Sequence, residues 1–394
     1  MFTNELGFKR LAVDHSIFFW HRGEEHTIIA VVTDDMAVTS KHMSDITKFK
    51  REIQEHFVIA NGGKLHWFLG FEIKCDQTAW TISINQWSYI ERMVENLWLT
   101  NAKPVVTLME PDVCFSKDQS PLTLSQQFWM WDVPHAQAIG SILWPVVISR
   151  PDAVFTVGIL SQFVQNPGQA HWEEVKKLIT YLGTTKDLWL MFGGQEKTIL
   201  NGFCDVDWAG QPHRHSISGY SFHMGTSAVT WNSKKQYIIA LSSAEVEYIV
   251  QTHAVKEAMY LCTFMGEING FDKLVTLKCD NQGVIVLSKD NKFHAWTKHI
   301  DIQYHFIWEV VKNEKISIKY VPTDENTADI FTKPKAKFHW FVKLLGLNPT
   351  IPIISSYNIC YFFFWTLLPY LASSYIWDMW IIGISSSYMK LRHE

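Results

Sequence analysis

The sequence has no excess of charge of either sign. Its 35 Lys and Arg stand against 39 Asp and Glu, a formal net charge of −4. Nucleic-acid binding therefore cannot be read from bulk charge, and any such surface has to be local. Paired cysteines are lacking too: Cys75, Cys114, Cys204, Cys262, Cys279 and Cys360 are scattered, with no Cys-x-x-Cys. That pattern argues against a zinc site or a disulfide framework, and for a reducing compartment, cytoplasmic or nuclear. The first ten residues contain no apolar signal-peptide core. Arginine is scarce, supplying only seven of the 35 basic residues.

What is present is apolar and aromatic. Over 394 residues the hydrophobic share is 47% and the charged share 19%, which excludes a disordered or coiled-coil chain and suggests about two or three domains. There are 18 Trp, a residue whose ring needs burial and whose N–H needs a partner. Trp129 and Trp131 stand among polar neighbours. They read either as an aromatic binding surface or as decay, since a single C-to-T change converts the Arg codon CGG into the Trp codon TGG. Near residue 350 the composition shifts, and from 351 to 384 the only charged residue is Asp378. Residues 359–377 carry no charge and are long enough to span a bilayer as a helix. Pro369, Ser373 and Ser374 interrupt the run, so a translated non-coding tail is the preferred reading and a membrane anchor the alternative.

Between these ends, 118–127 reads as a linker and 193–196 as a turn opening a new domain. Segments 200–208, 218–222 and 228–231 read as three strands joined by short polar turns. Ser242, with Glu245 at capping-box distance, starts a helix running to about Met265. A fourth strand at 274–279, a short helix at 282–288, a helix at 299–313, a fifth strand at 316–321 and a last helix from Asn326 follow. A meander and then strand–helix alternation give a mixed five-stranded sheet with helices packed on it.

Acidic residues fall at the ends of these elements. Asp205 and Asp207 share one face of the first strand. Glu245 and Glu247 are separated by about 200° on the helix, so only one of them faces the sheet. Asp280 directly follows the fourth strand, and Asp329 lies in the last helix. Any one of these alone reads as a solvated surface charge. Together they suit two oxygen-ligated divalent ions, Mg²⁺ or Mn²⁺, about 3.5–4 Å apart, for phosphodiester cleavage. The residues leave the choice within each pair open.

Several motifs are recognisable. Cys204-Asp205-Val206-Asp207-Trp208-Ala209-Gly210, Ser218-Gly219-Tyr220, Trp231-Asn232-Ser233-Lys234-Lys235-Gln236 and Leu241-Ser242-Ser243-Ala244-Glu245-Val246-Glu247-Tyr248 resemble the ribonuclease H domain of copia-type retrotransposon polyproteins. Cys279-Asp280-Asn281-Gln282, Thr297-Lys298-His299 and Ala328-Asp329-Ile330-Phe331-Thr332-Lys333-Pro334 continue the match, in order, over about residues 200–347. Upstream, Phe68-Leu69-Gly70-Phe71-Glu72, Asn101-Ala102-Lys103-Pro104 and Arg150-Pro151-Asp152 are similar to the end of the same family's reverse transcriptase. The resemblance implies an α+β or α/β architecture: a ribonuclease H-like mixed five-stranded sheet with flanking helices, preceded by a truncated palm and thumb. It implies a truncated reverse transcriptase at 1–117, a connection at 118–195, a ribonuclease H-like domain at 196–348 and an apolar, non-homologous tail at 349–394. It also implies hydrolysis of the RNA strand of an RNA–DNA hybrid, with Asp205, Glu247, Asp280 and Asp329 as ligands of two Mg²⁺ or Mn²⁺ ions.

Asp34-Asp35, between two apolar runs, resembles the family's polymerase dyad, with Val32 and Thr33 replacing Tyr and Val. The family's third carboxylate has no counterpart, since Asp14 lies in the wrong context, and polymerase activity is not expected. Lys298, His299, Lys333, Lys335 and Lys337 are candidate phosphate contacts for the hybrid or another nucleic acid. Trp296 and Trp308 stand where the family has Arg, which supports codon decay. The competing reading is therefore an inactive remnant that binds nucleic acid.

Overall fold

A computed structural model describes the chain except residues 1, 4, 23–24, 77–78, 80, 112, 194–198, 209, 211–213, 241, 271–273, 290–300, 335–336, 350–377 and 385–394. The apolar run at 359–377 and the turn residues 194–196 thus lie outside the described residues. Among the described residues no helix is long and apolar enough to cross a membrane.

The N-terminal part is an antiparallel sheet. Ile17–Arg22, Glu25–Val32 and Asp35–Ser40 form a meander. Its strands are apolar on both faces because both are covered: Ile29, Met36 and Val38 pack on the helix Met43–Gln54, while Ile28, Ala30 and Ala37 join the main core. Alternation cannot show in a strand covered on both sides. The tail contributes here as well. Asp378–Ile384 lies between Asp35–Ser40 and Ile59–Lys64, antiparallel to both.

A second sheet joins distant parts of the sequence. Trp189–Gly193 pairs on one side with Thr81–Asn85 and on the other with Leu347–Asn348. The Asn85 side-chain amide reinforces this seam by donating to the carbonyls of Lys186 at 2.8 Å and Leu188 at 2.7 Å. The 118–127 stretch is more ordered than a linker. Ser116 caps a 3-10 turn at Lys117–Gln119, and Thr123 caps the helix Leu124–Met130 with Gln126 reciprocating. Two capping boxes satisfy backbone groups that a composition-based reading leaves open.

The Arg150-Pro151-Asp152 motif acquires a structural meaning. Arg150 is 1% exposed. Its Nε and Nη2 donate to the two Asp152 oxygens at 3.0 and 2.7 Å, and Nη1 and Nη2 donate to the Thr185 carbonyl and hydroxyl at 3.2 and 2.7 Å. The Tyr181 hydroxyl donates to Asp152 at 2.6 Å. This fork ties the turn after helix His135–Ile148 to the end of helix Gln169–Thr184.

The third sheet is the mixed five-stranded one. Its strands are β1 (Leu200–Asp207), β2 (Ile217–Met224), β3 (Ser227–Lys235), β4 (Val275–Cys279) and β5 (Ile316–Tyr320), in the order β3-β2-β1-β4-β5. The first three are antiparallel; β4 and β5 run parallel to β1 and to each other. Helix α1 (Ser243–Asn269) crosses the sheet, starting where the Ser242 hydroxyl accepts the Glu245 N–H and ending at Gly270 in the left-handed conformation, φ 68°. Helices α2 (Gln282–Lys289) and α3 (Asp301–Lys312) follow, and α4 (Phe338–Leu344) closes the domain. One expectation is corrected. The stretch from Asn326 is a five-residue 3-10 turn, Thr327–Phe331, because Pro334 denies it room to continue as an α-helix.

Two outcomes test this packing. Arg150→Met, which strands a buried Asp152 carboxylate, should cost about 3–5 kcal/mol in denaturant unfolding; a loss below the error of the measurement would refute the fork's role. Buried His135 has no hydrogen-bond partner at either ring nitrogen among the described residues. Burial, and then the charge of His171, lower its pKa to about 4. Below the unfolded value near 6.5 the unfolded chain gains a proton that the fold refuses, so stability is lost as pH falls from about 6.5 towards 4. The thermal midpoint should drop over that window, and His135→Leu should flatten the drop; an unchanged slope counts against it.

Candidate active site

The register of the third sheet sets the site. β1 and β4 are parallel neighbours, with Phe203 opposite Lys278. Two residues further on each chain come Asp205 and Asp280, side by side at the same end of the sheet, where adjacent strands are about 4.8 Å apart. Asp205 is 3% exposed, while Asp280 is half-buried and accepts the Thr323 hydroxyl at 2.8 Å.

Glu247 arrives from the first turns of α1. It is buried, whereas Glu245 is half-buried, so the helix turns Glu247 toward the sheet. Its carboxyl is pushed up to about 9, by burial first and then by the charges of Asp205, Asp280 and Cys279; a hydrogen bond from Asn281 opposes the rise. Asp207, on the same face as Asp205, is also raised, by burial first, with Lys333 opposing and Asp205 adding.

Asp329 is delivered by the 3-10 turn, and three polar side chains hold that turn down. Buried Asn326 donates to the Cys204 carbonyl at 3.0 Å and accepts the Ala328 N–H at 3.2 Å. Thr327 meets His223 Nε2 at 3.2 Å, and Ser233 donates to the Phe331 carbonyl at 2.6 Å. His223 is wholly buried and its pKa is lowered to about 3 by burial and then by Lys278, so it is neutral in this role. The turn lies this close because β2 offers no side chain at Gly219, the residue paired with Asp205. A Cβ there would stand 2.7 Å from Phe331 Cβ and 2.8 Å from Thr332 Cγ2. The next two residues close the site: the Thr332 hydroxyl donates to Asp205, and Lys333 Nζ lies 2.7 Å from Asp329 Oδ1 and 3.8 Å from Asp205 Oδ2.

The four expected carboxylates are therefore linked at one end of the sheet. Glu247 senses Asp205 and Asp280, while Asp205 and Asp329 share Lys333. Among the described residues no three His, Cys, Asp or Glu side chains converge closely enough to hold an ion as they stand. The donor set fits a hard cation nonetheless: carboxylate oxygens only, and a buried Glu247 Oε2 that has no hydrogen-bond partner among the described residues.

The other expected residues are dispersed. Exposed Lys337 lies 3.8 Å from Asp324. Lys298, His299, Lys335 and Trp296 are outside the described residues. Asp34 sits exposed at the hairpin tip, beside Thr33 at φ 47°, and Asp35 opens the next strand opposite Val32. Asp14 is engaged locally, accepting the Ser16 N–H at 2.9 Å and its hydroxyl at 2.7 Å. Thr323, Asn326, Thr332 and the pairing of Lys333 escaped the sequence reading, although Thr332 and Lys333 stand in the quoted motif.

Comparison with known proteins places the chain among transposon products. Residues 1–111 match the family described as reverse transcriptase (RNA-dependent DNA polymerase). The retrovirus-related Pol polyprotein from transposon TNT 1-94 of Nicotiana tabacum is 38% identical over 340 residues, covering 85% of this chain and 26% of that protein. The secreted RxLR effector protein 161 of Plasmopara viticola is 41% identical over 133 residues, 34% of this chain and 94% of that one. Among solved structures, LC11-RNase H1 in complex with an RNA/DNA hybrid is similar at 13% identity and a TM-score of 0.28, covering 34% of this chain and 93% of that one. The chain spans about a quarter of the length of the transposon polyproteins it matches.

Gly219→Ala should push the turn that carries Asp329 away from β2. The expected loss is about 1–3 kcal/mol in denaturant unfolding; unaltered stability would show that the close approach is dispensable.

Proposed function

This chain belongs to the copia-type retrotransposon Pol polyproteins, and on that basis we propose that its 196–348 segment is a ribonuclease acting on the RNA strand of RNA–DNA hybrids. The observation that carries the reading is that Asp205, Glu247, Asp280 and Asp329 come from four separate places in the chain to the same end of the mixed sheet, where Glu247 feels the charges of Asp205 and Asp280 and Lys333 joins Asp205 to Asp329. These four residues would hold two divalent ions, Mg²⁺ or Mn²⁺. When bound, such ions supply an activated water and charge neutralisation at the leaving oxygen.

The chain's own residues do the rest. Asp205 stands on β1 and Asp280 directly follows the neighbouring strand β4, so their spacing is set by the sheet. Hydroxyls of Thr332 and Thr323 orient these two carboxylates, as hydrogen-bonded partners of metal-ligating groups do. Glu247 enters from a buried helix face that excludes water. Lys337, with Lys298, His299 and Lys335, would meet phosphates of the hybrid through sequence-independent contacts. The Asp34–Asp35 hairpin is read as a polymerase remnant without activity because Val32 and Thr33 replace the family's Tyr and Val, and Asp14 is engaged locally with Ser16. The alternative, an inactive nucleic-acid-binding remnant, is favoured by Trp98, 88% exposed, and Trp131, 84% exposed, which suit neither burial nor a polar surface.

The test is cleavage of a labelled RNA–DNA hybrid with Mg²⁺ or Mn²⁺. Activity should require the metal and should vanish in Asp280→Asn with little change in thermal midpoint. Asp205→Asn should leave a residual rate, because Asp207 shares its face. Equal rates for Asp280→Asn and the unmodified chain would refute the ribonuclease reading. A folded chain that binds hybrid without cutting it would leave the remnant reading.

A further inference from the structure

Lys333 has two roles open to it. Its place in a lysine-rich stretch suggests a phosphate contact, yet its ammonium faces inward, 2.7 Å from Asp329 and 3.8 Å from Asp205. We infer that Lys333 is an internal counter-cation of this site, one that a divalent ion must displace to bind. The inference rests on the reading of these carboxylates as metal ligands and adds a residue that governs how readily the metal enters.

Three features carry it. First, Asp205 and Asp329 have side chains only 4% and 1% exposed. Ionised carboxylates so poorly hydrated need a compensating cation. Second, a single ammonium, that of Lys333, reaches both carboxylates. Third, its own side chain is 37% exposed. It approaches the acids from the solvent side on a flexible four-carbon stem, so it can leave without opening the core.

The two cations compete for the same oxygens. An ion that takes Asp205 and Asp329 removes the attraction holding the ammonium and adds repulsion against it. The released side chain then swings toward solvent, at the mouth of the site, where a nucleic-acid phosphate would approach. Lys333 is thus a positioning residue. It keeps the acidic pair together in the metal-free chain and becomes available to an anion only when the metal is in place. Thr332, anchored on Asp205 by its hydroxyl, stays behind and keeps the turn in position during the exchange.

The experiment titrates the full-length chain with Mn²⁺ by calorimetry and by electron paramagnetic resonance, with no nucleic acid present. Lys333→Gln should bind Mn²⁺ roughly fivefold more tightly than the unmodified chain, the loss of one partly exposed ion pair. It should also show a lower thermal midpoint without metal and a larger rise on adding it. Lys333→Arg, which keeps the cation, should return the affinity to the original range. Unchanged or weaker binding in Lys333→Gln would overturn the inference while leaving the ribonuclease reading intact. Absence of Mn²⁺ binding in both the unmodified chain and Lys333→Gln would overturn the metal site itself, and the inference with it. A second measurement needs no substitution: acylation of Lys333 by an amine-reactive ester, mapped by mass spectrometry, should increase when Mn²⁺ is added. Equal or reduced acylation with Mn²⁺ would count against displacement.

Discussion

Crowding carboxylates at the poorly hydrated end of a sheet is unfavourable, and much of the mixed five-stranded sheet and its helices is organised around that repulsion. Glu247 meets it by holding its proton up to about pH 9. Asp205 and Asp329 meet it by sharing an ammonium. Asp280 meets it by remaining half-buried, beside the Thr323 hydroxyl. The remedies differ, and none of them is apolar packing. Rigid elements must therefore hold what electrostatics would push apart: the registered pair β1 and β4, the capped start of α1, and the turn pinned by Asn326.

The same division between holding elements and held groups recurs upstream. Arg150 is deeply buried, yet its charge is met on every side by Asp152 and Thr185. Edge strand β3 of the mixed sheet rests on the helices of the connection, with Trp231 donating to the Val146 carbonyl at 3.0 Å and Lys235 reaching Gln162 at 3.0 Å. The N-terminal, connecting and C-terminal segments share one apolar core that runs from Leu11 to Leu347. Boundaries drawn from composition therefore divide a continuous packing unit.

What was legible in the sequence follows from the range of the forces involved. The order and type of elements from 200 to 345 could be read because strands, caps and the left-handed stop at Gly270 are local. Helix spacing showed that one of Glu245 and Glu247 must face the sheet, and the resemblance chose Glu247; its burial agrees. The short turn at Thr327–Phe331 read as a helix because its periodicity is helical for one turn. Its tertiary ties to Cys204, His223 and Ser233 are invisible to periodicity. Gly219 stood in a recognised motif, but its reason, the close passage of Phe331, exists only in three dimensions. Lys333 read as a phosphate contact for a similar reason, since nothing in a lysine's neighbours says which way its stem will lean.

The strand Asp378–Ile384 sits between Asp35–Ser40 and Ile59–Lys64, with Ile381 opposite Ala37. More than three hundred residues separate those partners along the chain, so this sheet is completed only after a long loop has closed. Until then the facing edges of two N-terminal strands stand open, with their N–H and C=O groups unpaired. Closing so long a loop is also slow compared with the local meander that precedes it. The folding chain thus passes through a stage in which its N-terminal meander is formed but unsealed, and a strand far away in sequence is the part that seals it.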